Sequence, residues 1–148
     1  MKKLAILTIL AGCLIAFNSC KEPEPISVAI KQISITSLPL GTWERIPNVF
    51  FTLSNESVSA TAIGPVVENV TASRLASGLT WEFKETYRIN NFDAKTSIKV
   101  WDKNGEDDVE MGTVEFTMNT YSKENPEIIN ITQNGITVKL EVTWIFDK

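Results

Sequence analysis

The chain has 148 residues, with 14 basic and 18 acidic side chains, two cysteines and no histidine. The lack of histidine excludes Ser-His-Asp and Cys-His catalytic sites and histidine-bearing zinc sites. The acidic balance argues against nucleic acid as a partner, because such binding rests on Lys and Arg neutralising phosphates. We therefore expect a protein that is not an enzyme and does not bind nucleic acid.

The first residues have the pattern of a secretory signal. Lys2 and Lys3 precede an apolar run from Leu4 to Phe17. At roughly 14 residues, this run is shorter than the ~20 that cross a bilayer as a helix. Cys20 follows Ser19 and precedes a polar segment, and this arrangement resembles a bacterial lipoprotein cleavage site, at which the cysteine becomes the acylated first residue.

A second cysteine competes for this cleavage. Leu10-Ala11-Gly12-Cys13 matches the usual form of the site better. Cleavage there would leave only about eight or nine apolar residues for export and would keep Leu14 to Phe17 on the mature protein. We therefore predict a signal peptide over residues 1–19 and a membrane anchor on Cys20.

The residues around Cys20 also point to a location. Ser19 before the cysteine resembles the cleavage sites of Bacteroidetes lipoproteins, and Lys21-Glu22 resembles their surface-export signal. The resemblance implies a lipoprotein of the bacterial outer membrane that faces either the periplasm or the outside.

The mature chain, residues 20–148, would carry 12 basic and 18 acidic side chains, a net charge of −6. No disulfide is expected in it, because Cys13 leaves with the signal and Cys20 is acylated. Alternating Pro and Glu predict a tether over residues 20–25, since such a segment neither forms a helix nor buries apolar surface.

Residues 26–148 show the alternation of apolar and polar side chains that predicts antiparallel strands. The clearest strand is 136–146, with one apolar face and a preceding hairpin signal at Asn134-Gly135 that pairs it with 128–132. Residues 26–35 form another, with a bulge near Lys31-Gln32. The remaining predicted strands are 49–53, 66–71, 81–89, 98–101 and 114–118.

About eight strands fit two packed sheets, and the apolar faces predict the core. One face of the last strand supplies Ile136, Val138, Leu140, Val142, Trp144 and Phe146. The residues that we expect to dominate the core are Trp81, Phe83, Val100, Phe116, Val138, Leu140, Val142 and Trp144.

From about residue 26 to 146 the chain resembles a C2 domain in the order and spacing of several segments. They are Ser37-Leu38-Pro39, Pro47-Asn48-Val49-Phe50-Phe51-Thr52-Leu53, Leu79-Thr80-Trp81-Glu82-Phe83, Val100-Trp101-Asp102 and Met111-Gly112. The resemblance implies an all-β fold, an antiparallel β-sandwich of about eight strands.

The densest charge follows the strand at 98–101, where five carboxylates surround Lys103: Asp102, Glu106, Asp107, Asp108 and Glu110. In C2 domains that bind calcium, acids of the first and third loops hold the ion. The resemblance therefore implies a calcium site at Asp102, Asn104, Asp107 and Asp108.

The first loop departs from that pattern, because Ile46 stands where the family has an Asp before Pro47, and Glu44 is the only acid nearby. We expect no cofactor other than weakly bound calcium. The simpler interpretation is a solvated loop, since like charges ~6 Å apart in water repel by only about 0.7 kcal/mol. An EF-hand fails on spacing, because Gly105 comes too early and no helices flank the loop.

Trp43 and Trp101 are expected at the same end of the sandwich. They would either cap the core or form an aromatic platform for a glycan or a lipid surface. Our leading hypothesis is a cell-envelope lipoprotein that displays a non-enzymatic, C2-like binding or structural module. The alternative is a calcium-dependent module that binds a membrane or a polyanion through the loops around Trp43 and residues 102–108.

Overall fold

A computed structural model describes residues 23–39 and 45–147 of the chain. The predicted signal peptide, Cys13, Cys20 and Trp43 lie outside the described residues. The predicted boundary between tether and domain falls inside them, and the first strand begins at Pro25.

The described residues form eight strands, one short helix and one 3-10 turn. In chain order they are β1 (Pro25–Ser37), β2 (Val49–Asn55), β3 (Val58–Ile63), α1 (Ala72–Ala76), β4 (Leu79–Ile89), β5 (Lys95–Asp102), β6 (Val109–Thr117), the 3-10 turn Met118–Thr120, β7 (Ile128–Gln133) and β8 (Ile136–Phe146). All pairings are antiparallel, in two sheets ordered β4-β1-β8-β7 and β3-β2-β5-β6. The predicted all-β sandwich of eight strands is confirmed.

The core lies between the two sheets, where the alternation of β8 buries Ile136, Val138, Leu140, Val142 and Trp144. Phe146, predicted on the same buried face, is 38% exposed because it ends the strand opposite Pro25, so that prediction is wrong. Trp81 and Val100 are buried as predicted. Phe83 and Phe116 are only partly buried and pack against the core from its margin.

The predicted bulge and hairpin are both present. Pairing of β1 with β4 and with β8 shifts register between Ile30 and Gln32. The extra residue, Lys31, returns Ile33 to the inner face, so that Ile30 and Ile33 are both fully buried. Asn134 and Gly135 both have positive φ, 52° and 79°, which a two-residue hairpin turn matching the strand twist requires.

The strand predicted at 66–71 is wrong. Only an isolated bridge joins Val67 to Val49 there, and Asn69 has φ 52°, which no extended strand accommodates. The eighth strand is instead β3, a short edge strand of small residues whose sequence, Val-Ser-Ala-Thr-Ala-Ile, has little apolar alternation. After the bridge, Thr71 caps α1 by accepting a hydrogen bond from the Arg74 N–H, and Leu75 packs into the core.

The antiparallel strands give the sandwich two distinct ends. We call the end with residues 45–48, 103–108 and 134–135 the loop end. The other, the terminal end, holds Pro25 beside Phe146, together with residues 90–94 and 118–126. Eight residues of β5 separate the two ends, which is about 23 Å at ~3.3 Å per residue.

Candidate functional site

The acidic loop, residues 103–108, joins β5 to β6 at the loop end and is exposed throughout. Two of the charged side chains there pair locally, Lys103 Nζ with Asp108 Oδ1 at 2.9 Å. On the neighbouring strands, Lys99 Nζ lies 3.7 Å from Glu110 Oε2. Lysines therefore compensate part of the negative charge.

Asp102, at the end of β5, is held by the segment that precedes β2. Its Oδ2 accepts a hydrogen bond from Arg45 Nη2 at 2.9 Å, and its Oδ1 accepts one from the Asn48 N–H at 2.9 Å. The Lys103 N–H donates to Asn48 O at 2.7 Å. Asp102, with 16% of its side chain exposed, therefore works as a structural clamp: it holds the segment before β2 against the end of β5 and the start of the acidic loop.

Two of the four predicted calcium ligands are paired with basic side chains. Asp102 faces Arg45, Asp108 faces Lys103, and Asn104 and Asp107 are exposed. Among residues 23–39 and 45–147, no group of three or more acidic side chains is placed to hold a metal ion. Ile46, where a calcium-binding first loop would carry an acid, is 54% exposed.

Trp101 lies on the outer face of the β3-β2-β5-β6 sheet. Its ring stacks beside Phe50 with centroids 6.3 Å apart at 15°, and its Nε1–H donates to Thr52 Oγ1 at 3.1 Å. Lys99 Nζ lies 5.9 Å from the ring centroid. Trp101 is thus half-buried on a sheet face, and within the described residues its aromatic partner is Phe50.

The terminal end carries a cleft that the sequence did not reveal. Its volume is about 600 Å³, and its lining residues are Pro23, Glu24, Pro25, Phe92, Asn119, Ser122, Lys123 and Asn125. They come from the tether, the loop before β5 and the turn after β6, three segments far apart in the chain. Each resembles an ordinary turn by itself, so only the fold brings them together.

Several solved structures share this architecture at low sequence identity. A complex of human GIVD cytosolic phospholipase A2 has a TM-score of 0.59 at 8% identity, covering 85% of this chain and 18% of that chain. A single C2 domain of plant Extended Synaptotagmin 1 has a TM-score of 0.56 at 11% identity, covering 84% and 98%. The two adjacent C2 domains of Extended-Synaptotagmin 2, calcium bound, give 0.55 at 12%, covering 84% and 47%.

The chain thus spans nearly all of a single C2 domain, about half of the two-domain structure and less than a fifth of the phospholipase. No protein-family model and no curated protein matches the sequence. These likenesses establish a C2-like fold. No helix of the described part is long and apolar enough to cross a membrane.

Proposed function

We propose that this protein is a cell-envelope lipoprotein, anchored through acylated Cys20, whose C2-like sandwich is a non-enzymatic binding or structural module. The position of Pro25 carries the proposal. β1 begins there, at the terminal end, only five residues after Cys20. Five residues reach at most about 18 Å, so the anchor keeps the terminal end beside the membrane and leaves the loop end free to face outward.

The calcium-dependent alternative draws support from the fold and from the calcium-bound state of one structure that shares it. Three features of this chain oppose it. Arg45 already neutralises Asp102, and the acidic loop lies at the end farthest from Pro25. The mature charge of −6 also repels anionic surfaces, so the loop would need bridging ions to reach one.

Fractionation of cells tests the anchor. Wild-type protein and Cys13→Ser should stay with the membrane, whereas Cys20→Ser should appear in the soluble fraction. More than one acyl chain is required for stable attachment, because a single chain binds only marginally. Release of Cys13→Ser together with retention of Cys20→Ser would reject the proposed anchor.

Depth-dependent fluorescence quenching tests the orientation. A probe is attached to the anchored protein at Asn90→Cys, at the terminal end, or at Asn104→Cys, at the loop end; both positions are exposed. Quenchers on the lipid headgroups should reduce the fluorescence at position 90 more strongly than at 104. The opposite order, with or without calcium, would favour the membrane-binding alternative.

A further inference from the structure

The loop end carries two Asn-Gly dipeptides, Asn104-Gly105 in the acidic loop and Asn134-Gly135 in the turn between β7 and β8. Both asparagines are exposed, and both glycines have positive φ, 66° at Gly105 and 79° at Gly135. Neither solvent access nor the dipeptide itself therefore distinguishes the two. They differ in how firmly the surrounding chain holds them.

An asparagine that precedes glycine loses its side-chain amide in water without a catalyst. The glycine backbone nitrogen attacks Cγ of the asparagine and forms an N–Cγ bond. The Cγ–Nδ2 bond breaks, and the leaving nitrogen departs as ammonia with the proton of the glycine N–H. Water then opens the cyclic imide, giving aspartate when it adds at Cγ and isoaspartate when it adds at the backbone carbonyl. Glycine favours the attack because no side chain crowds its nitrogen.

The fold opposes this reaction at Asn134. The imide closes only if the asparagine Cα–C bond rotates until the glycine nitrogen reaches Cγ. In the hairpin this rotation is resisted, because β7 and β8 are paired up to the two residues that flank the turn. Two further contacts hold the turn: Ser37 Oγ donates to Gly135 O at 3.0 Å, and Asn134 Nδ2 donates to Thr113 O at 3.4 Å. Asn134 therefore reacts only after the hairpin opens.

The acidic loop leaves Asn104 much freer. The Lys103 N–H donates to Asn48 O at 2.7 Å, which fixes the start of the loop. Beyond that point, and within the described part of the chain, neither the Asn104 side chain nor the Gly105 N–H forms a hydrogen bond. A Cβ at Gly105 would meet nothing within 4 Å. Segments with so few contacts rearrange at little cost in free energy, so the reactive conformation is accessible in the folded protein.

We infer that Asn104 is a site of spontaneous modification, which loses its amide in the folded protein, whereas the hairpin protects Asn134. Water is the only co-reactant. The product adds a carboxylate to the acidic loop, so each modified molecule gains a negative charge, and isoaspartate also lengthens the loop backbone. The inference goes beyond the proposed function and rests neither on the lipid anchor nor on a bound metal.

Peptide mapping by mass spectrometry measures the reaction at both sites. The full chain, purified in detergent, is incubated at mildly alkaline pH, either folded or unfolded in urea. Trypsin then places the two dipeptides on separate peptides, residues 104–123 and 124–139. In the folded protein, Asn104 should lose its amide at least about tenfold faster than Asn134. In urea the two rates should become similar, because the hairpin no longer protects Asn134.

Two variants test the chemistry at Asn104. Asn104→Gln should stay intact, because the longer side chain would have to close a larger and less favourable ring. Gly105→Ala should slow the loss at Asn104, since the added Cβ crowds the attacking nitrogen while the folded loop has room for it. Asn104→Asp is the reference for the product, and the acidic form that accumulates in aged wild type should elute with it in ion-exchange chromatography. Thermal unfolding verifies that each variant is folded.

Three results would overturn the inference. The first is an Asn104 that stays intact in the folded protein while it reacts in urea. The second is equal loss at Asn104 and Asn134 in the folded protein. The third is a ratio of the two rates that is the same with and without urea, which would show that the flanking sequence, and not the fold, decides which asparagine reacts.

Discussion

Arg45 and Asp102, 57 residues apart in the chain, form an ion pair with 2.9 Å between Nη2 and Oδ2. The other carboxylate oxygen accepts the Asn48 N–H. A cation of the chain itself thus pairs with Asp102, the last residue of β5, at the position of an acid that would hold the metal in a calcium-binding C2 domain.

Calcium should therefore bind weakly, with a dissociation constant at or above ~0.1–1 mM, the range of weak extracellular sites. Asp102 is neutralised, Asn104 carries no charge and Ile46 offers no oxygen ligand. Isothermal titration of the Cys20→Ser protein measures this. Arg45→Gln, which frees Asp102, should bind more tightly than the parent. Micromolar binding by the parent that Asp102→Asn abolishes would contradict the prediction.

The same ion pair should contribute to stability. Asp102→Asn is expected to lower the free energy of unfolding by about 1–2 kcal/mol, because it loses a charge-assisted pair and weakens the bond from Asn48. The matched control is Asp107→Asn, which changes an exposed acid of the adjoining acidic loop and should alter the free energy of unfolding by less than ~0.5 kcal/mol. Urea denaturation compares the two, and similar losses would show that Asp102 is no clamp.

Truncations in the core should cost far more than changes outside it. Leu140→Ala and Trp81→Ala remove buried side chains and should cost ~2–5 kcal/mol. Phe83→Ala should cost less than Trp81→Ala, since Phe83 lies at the margin of the core. The exposed neighbour Glu82→Ala should cost under ~0.5 kcal/mol. Equal losses at positions 81 and 82 would refute the assignment of faces in β4.

Two glycines should respond differently to alanine. A Cβ at Gly64 would collide with the ring of Phe51, which is fully buried and packs against Trp81. Gly64→Ala should therefore destabilise by about 3 kcal/mol. At Gly105 a Cβ meets nothing within 4 Å, so only the positive φ of 66° opposes alanine, at about 1 kcal/mol. Thermal unfolding ranks them, and a larger loss at Gly105 would contradict the close packing of Phe51 on Gly64.

Both tyrosines should make the fold sensitive to alkali. Burial raises the pKa of Tyr87, against a smaller lowering by a backbone hydrogen bond from Asn55, and burial also raises the pKa of Tyr121. A folded-state pKa above the unfolded value of about 10 gives stability that is complete below that pH and is lost as pH rises through the folded-state pKa. Tyrosinate absorbance should appear at a higher pH in the folded protein than in the protein unfolded in urea.

Tyr87→Phe isolates one of these groups. Its hydroxyl donates to Ala60 O at 3.0 Å, which links β4 to the edge strand β3. The free energy of unfolding of the variant should fall less steeply with rising pH than that of the wild type, although the variant loses that hydrogen bond. An unchanged pH dependence in both Tyr87→Phe and Tyr121→Phe would refute the pKa assignments.

Strong alternation made most of the fold predictable. The strand at 136–146, its hairpin turn and the bulge near Lys31 all follow from local patterns of apolar, turn-forming and inserted residues. The wrong prediction of a strand at 66–71 and the missed strand β3 show where such patterns fail. Three valines in 66–71 suggested a strand, but an asparagine in the left-handed region breaks it, while β3 is an edge strand with few large apolar residues.

The sites were less predictable because they depend on distant pairs. The acidic loop is visible in the sequence, but its partner Arg45 is recognisable only once β2 and β5 are paired. The cleft is harder still, since Asn119, Ser122 and Asn125 resemble any polar turn. They line a cleft only because the fold brings them together with the loop at Phe92 and the residues that lead into β1.

The pairing of β1 with β8 also constrains the order of folding. These two strands lie side by side in the middle of their sheet, at opposite ends of the described chain. The sheet therefore cannot close until its last strand has been synthesised, and contacts of such high sequence separation form slowly. The β4-β1-β8-β7 sheet is therefore the part of the fold that waits for the end of synthesis, whereas β2, β3, β5 and β6 are all made before β8.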